Sequence, residues 1–133
     1  MSPTAGYSGT PVHKKLGFKG GMRVLVLKAP DDYLEIVGGG PSVQILRRVT
    51  SNLDLVHLFL RTRRDFQKVP VLFSKLNAGG ALWLSWAKKS SPLHNGITED
   101  DLRREVLPLG WVDTKVCAVD EDWSGLKFLK RKT

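Results

Sequence analysis

Leu53-Asp54-Leu55-Val56-His57-Leu58-Phe59-Leu60 is the stretch on which the fold turns. Apart from Asp54 and His57 every side chain in it is large and apolar, and polar and apolar positions do not alternate. A strand written this way is covered on both faces, as in a parallel sheet sandwiched by helices. Met22-Arg23-Val24-Leu25-Val26-Leu27-Lys28 upstream and Ala81-Leu82-Trp83-Leu84-Ser85-Trp86-Ala87 downstream have the same character. Val43 to Val49 is more polar and reads as a strand nearer a sheet edge.

Helical patterns separate these runs. Thr10 as N-cap and Pro11 in the first turn open a short helix that runs through Leu16 and stops at Gly17. Asp32 to Val37 forms a second, ended by Gly38-Gly39-Gly40-Pro41. Phe66, Val69, Phe73 and Leu76 recur at helical spacing over 64–76, with Pro70 predicting a kink or break. Thr98 and Asp101 resemble a capping box ahead of Leu102, Val106 and Leu109. Val112 to Val119 and Leu126 to Lys130 read as an antiparallel hairpin about Asp120 to Gly125. The fold class expected is α/β: a Rossmann-like, mostly parallel sheet of about six strands with a C-terminal antiparallel hairpin and helices on both faces. One domain over 1–133 is expected, with 1–9 as a flexible arm and 10–133 as the core.

The chain carries 21 Lys+Arg against 13 Asp+Glu, a net charge of +8, so anionic partners are favoured over cationic ones. The basic residues are scattered in pairs, which is the pattern of solubilising surface more than of one nucleic-acid track. The lone Cys117 cannot form an intrachain disulfide, and a reducing cytoplasm is the expected compartment. No apolar run approaches the ~20 residues that span a bilayer, so no membrane partner is expected. His13, His57, His94 and Cys117 have no metal-ligand spacing, and no metal site is expected. His57, inside an apolar strand, is expected to be buried and hydrogen-bonded.

Leu53-Asp54-Leu55-Val56, the run Gly79-Gly80-Ala81-Leu82-Trp83-Leu84 and the hairpin from Asp120 to Gly125 resemble landmarks of the class I methyltransferase fold in reduced form. Gly6-Tyr7-Ser8-Gly9-Thr10-Pro11, Lys15-Leu16-Gly17, Trp86-Ala87-Lys88-Lys89-Ser90-Ser91 and Val116 to Lys127 resemble a small bacterial family known as a domain of unknown function. Both resemblances imply a Rossmann-like domain; the second implies no established activity. The glycine-rich cofactor turn of methyltransferases is replaced here by Lys28-Ala29-Pro30-Asp31-Asp32-Tyr33. Pro30 removes an amide donor, and the two aspartates add negative charge where a carboxylate-bearing cofactor would lie. No cofactor is therefore expected.

Ligands of open α/β sheets bind beyond the carboxyl ends of the strands. That rule gathers a candidate ligand site from Lys88, Lys89, Ser90, Ser91, Arg61, Trp123 and Asp120. Lysine and arginine would hold an anion, the serines would donate hydrogen bonds and Trp123 would give a flat wall. A serine nucleophile needs a base, and no spacing supplies one, so no catalytic residue is assigned. The expectation is a non-enzymatic binding or regulatory module for an anionic small molecule or a protein. The alternatives are a divergent methyltransferase-like enzyme and a charge-driven nucleic-acid binder.

Overall fold

The structure, a computed structural model, describes residues 9–132. Six strands form one sheet: β1 (Arg23–Leu27), β2 (Gln44–Leu46), β3 (Leu53–Phe59), β4 (Leu76–Ala87), β5 (Trp111–Ala118) and β6 (Trp123–Lys130). Their spatial order is β2-β1-β3-β4-β6-β5. β1 runs parallel to β2 and β3, and β3 runs parallel to β4. β6 is antiparallel to both β4 and β5. The expected mostly parallel sheet with a terminal hairpin is what the chain forms, and the hairpin's second strand inserts beside β4.

Helices cover both faces. Leu58, Leu60, Leu82, Leu84 and Trp86 pack with Val69, Leu72 and Phe73 of α3 (Val69–Ser74) and with Leu102 and Val106 of α4 (Glu99–Val106). Leu55, Phe59, Trp83 and Ala87 pack on the other face with α1 (Val12–Leu16) and α2 (Tyr33–Val37). Trp83 and Trp86 thus point to opposite faces, as strand alternation requires. Trp83 is fully buried, and its Nε1 donates to the Leu16 carbonyl at 2.9 Å, pinning α1 to the sheet. A Cβ at Gly125 on β6 would lie 3.1 Å from Trp83 Cε3, so the indole fits because that neighbour is glycine.

Several boundaries differ from expectation: β2 is shorter than 43–49, β6 starts at Trp123 rather than Leu126, and three further differences have local causes. Residues 64–76 do not form one kinked helix: a 3-10 segment, Arg63–Lys68, precedes α3, and Pro70 sits in the first turn of α3. A helix through Pro70 would need an amide that proline lacks, and restarting there removes the requirement. β4 starts at Leu76 and includes Asn77 to Gly80, expected as a loop. Its pairing with β3 jumps from Leu53–Leu76 to Leu55–Ala81, and a Cβ on Gly80 would meet the Asn77 carbonyl at 2.9 Å, so a glycine closes this bulge. Pro11, rather than Thr10, occupies the cap position of α1. The expected arm falls almost wholly outside the described residues.

Candidate functional site

The chain leaves β1 for β2 on one side and returns to β3 on the other, so the switch point of the sheet lies between the carboxyl ends of β1 and β3. Lys28, just past β1, is left-handed with φ 59°, an uncommon conformation for a residue with a Cβ. Its ammonium is 2.7 Å from Asp65 Oδ1, and its carbonyl accepts from Arg61 Nε at 2.9 Å. Asp65 is buried, which by itself would raise its pKa. The Lys28 bond and the Thr62 and Arg61 amides outweigh burial and hold the carboxyl below its ordinary value. The Arg61 guanidinium also lies 4.8 Å over the Trp123 ring. The chain's own side chains therefore bridge the crevice.

A second feature lies beyond the end of β4. A groove of about 480 Å³ runs between the 88–98 loop, α4 and the start of β6. Trp86, Lys88, Lys89, His94, Asp100 and Ser124 are among its lining residues. The volume falls within the range of small-molecule sites. Local hydrogen bonds fix the loop: Ser91 Oγ donates to Asp122 Oδ1 at 2.8 Å and accepts from the Leu93 amide, and Asn95 Nδ2 donates to the Arg61 carbonyl at 2.7 Å. His94 Nδ1 lies 3.1 Å from the Ala87 carbonyl. A carbonyl can only accept, so Nδ1 carries a proton, and the neutral tautomer with that bond has its lone pair on Nε2.

The opening turn of α4 forms one wall, and the expected capping box is present. Thr98 Oγ1 accepts from the Asp101 amide, and Asp101 Oδ2 accepts from the Thr98 amide at 2.9 Å. That amide, then Arg104 and Arg63, hold the Asp101 carboxyl well below the usual carboxylate range against the opposing effect of burial. Thr98→Ala should cost about 1 kcal/mol of stability in urea unfolding, the usual loss of an N-cap side chain; an unchanged midpoint would mean that the cap carries no energy.

Of the site residues expected from sequence, Lys88 and Lys89 reach the groove. Lys88 Nζ donates to the Asp120 carbonyl at 2.7 Å, and burial lowers its pKa, partly offset by Asp122. Ser90 is exposed, whereas Ser91 is buried and engaged with Asp122. Arg61 and Trp123 meet at the switch point, and Trp123 is buried beneath the guanidinium, leaving little open wall. Asp120 Oδ1 accepts from the Asp122 and Trp123 amides and shapes the hairpin turn; burial pushes its pKa up. Sequence reasoning missed Asp65, although it follows Thr62 at the same spacing as Asp101 follows Thr98. It also missed the inward role of His94, because the bond to Ala87 has no sequence pattern.

No family profile and no curated protein matches the chain. Solved structures do. A ribosomal-protein methylase from Lactobacillus delbrueckii subsp. bulgaricus superposes with a TM-score of 0.62 at 13% identity, over 90% of this chain and 74% of that one. A putative type 11 methyltransferase from Sulfolobus solfataricus gives 0.58 at 15% identity, over 92% and 90%. An Aquifex aeolicus SAM-dependent methyltransferase gives 0.58 at 13% identity, over 88% and 86%. The fold is the Rossmann-like fold of class I methyltransferases. These neighbours overturn the expectation of a non-enzymatic module, since the proteins sharing this architecture are methyltransferases and the methyltransferase-like alternative fits them better.

The group that such a fold implies is S-adenosylmethionine. The turn after β1 does not offer it the usual glycine cradle: Lys28 stands at the bend, Pro30 lacks an amide, and the Lys28–Asp65 pair with Arg61 spans the crevice.

Proposed function

We propose that this chain is a divergent methyltransferase-like enzyme of the bacterial cytoplasm, with its ligands at the carboxyl edge of the sheet. The single observation that supports this most is the strand order, with antiparallel β6 inserted between β4 and β5, in a chain superposing on methyltransferases over nine-tenths of its length. At the switch point, the contribution of the chain's own residues is electrostatic. Arg61 presents positive charge at the mouth, its guanidinium held by the Lys28 carbonyl; Asp65 pairs with the Lys28 ammonium and accepts from the Arg61 amide, and Trp123 keeps the floor apolar.

Binding of S-adenosylmethionine in this crevice requires the Lys28–Asp65 pair to open, so its affinity is expected to be weak. In an amide-resolved NMR titration the cofactor should half-saturate at about 1 mM, equivalent to about 4 kcal/mol. The shifts should concentrate at 28–33 and 60–65. No shift at about five times that concentration would reject the methyltransferase-like reading.

A further inference from the structure

The groove beyond β4 has walls of opposite charge. The strand end and its loop contribute Lys88 and Lys89, and the start of α4 contributes Glu99 and Asp100. Arg103 also lines the groove, but its guanidinium is engaged by Glu99, by Asp100 and, at 3.0 Å, by Asp113. Lys89 is exposed and makes no ion pair among the described residues, and the Asp100 side chain is 85% exposed. Trp86 supplies an apolar surface, and His94 adds an oriented acceptor at Nε2.

We propose that this groove binds a small zwitterion of the amino-acid class. The ligand's carboxylate faces Lys89, and its amino group lies between Asp100 and His94 Nε2, which accepts an N–H hydrogen bond. One guanidinium shared among Glu99, Asp100 and Asp113 leaves surplus negative charge at the exposed Asp100, so an anion alone would leave that charge unmatched, and an amine alone would leave Lys89 unmatched. A zwitterion satisfies both walls and tolerates the groove's mixed charge. The loop is already held by Ser91, Asn95 and the His94–Ala87 bond, so little ordering is required on binding. Binding at this site stands on its own geometry. Only naming the zwitterion as the acceptor substrate rests on the methyltransferase-like reading.

The test is an NMR titration of the full chain with each of the common L-amino acids as probes, followed by the decarboxylated amine and the deaminated acid of the best binder. At least one amino acid should shift the amides of Lys89, His94 and Thr98, and its one-ended analogues should bind at least about tenfold more weakly, which corresponds to about 1.4 kcal/mol. Lys89→Ala and Asp100→Ala, both at exposed positions, should each weaken it several-fold while leaving the remaining spectrum intact. The proposal is overturned if no amino acid binds at about 10 mM or if a one-ended analogue binds equally well. Amino-acid binding without any cofactor binding would remove the methyltransferase-like reading and leave the groove assignment standing.

Discussion

Trp83→Ala should destabilise the protein by about 3–5 kcal/mol, the cost of emptying a large aromatic site in a packed core. Loss of the Nε1 bond to the Leu16 carbonyl should add about 1 kcal/mol. Trp83 has no exposed surface, and it sits among Leu16, Val26, Leu55 and Val119 in the core beneath α1 and α2. The cavity cannot collapse easily from the β6 side. Gly125 has no side chain to move inward, and the backbone pairs of β4 with β6 hold that strand at fixed spacing. The loss should appear in urea unfolding as a lower midpoint with little change in slope. Trp83→Phe should recover most of the packing while still lacking the Leu16 bond. A loss below about 1 kcal/mol for the alanine variant would contradict the burial on which the placement of α1 depends.

How much of this was legible in the sequence follows from which forces are local. β1, β3 and β4 were readable because a strand covered on both faces must be apolar throughout, and Leu53 to Leu60 is so whatever its neighbours do. The Thr98–Asp101 cap was readable because both partners lie within one turn. The break of the 63–74 segment was half readable: Pro70 forbids a continuous helix, but only packing chooses between a kink and a restart. The switch-point bridge was not readable, because Lys28 and Asp65 are brought together by the pairing of β1 with β3. Ser91 was assigned to a ligand on the strength of its loop; its partner Asp122 comes from the distant β5–β6 hairpin. The functional class failed for a different reason. The missing glycine turn reads as loss of the enzyme, whereas strand order, which single-sequence reading cannot supply, is that of the methyltransferase fold.

Acid should destabilise the protein well before the depressed carboxylates Asp65 and Asp101 titrate, and His57 is the expected cause. The ring is fully buried on β3 between Tyr33, whose hydroxyl lies 2.8 Å from Nδ1, and Ser85, whose Oγ lies 2.7 Å from Nε2. Each hydroxyl can donate or accept, so a neutral imidazole can donate from one ring nitrogen and accept at the other. Burial lowers its pKa from 6.5 to about 3. Above pH 6.5 neither the folded nor the unfolded state protonates this ring, and its contribution is fully present. As pH falls through 6.5 the unfolded chain takes up a proton that the folded chain refuses. Stability is then lost by up to about 1.4 kcal/mol per pH unit until the folded ring also protonates. Asp65 and Asp101 act lower: their folded pKa values are depressed, so their contribution is present above the unfolded value near 3.8 and is lost only as pH drops below it. Urea unfolding between pH 7.5 and 4.5, a window chosen to isolate the imidazole, should therefore show a steady decline in the parent. His57→Gln should begin less stable at neutral pH, because glutamine cannot reach Tyr33 and Ser85 with the same geometry, and should then show a flatter dependence. Parallel pH profiles for the two proteins would mean that the histidine is protonated in the fold, and the Tyr33–His57–Ser85 chain would have to be redrawn with a charged centre.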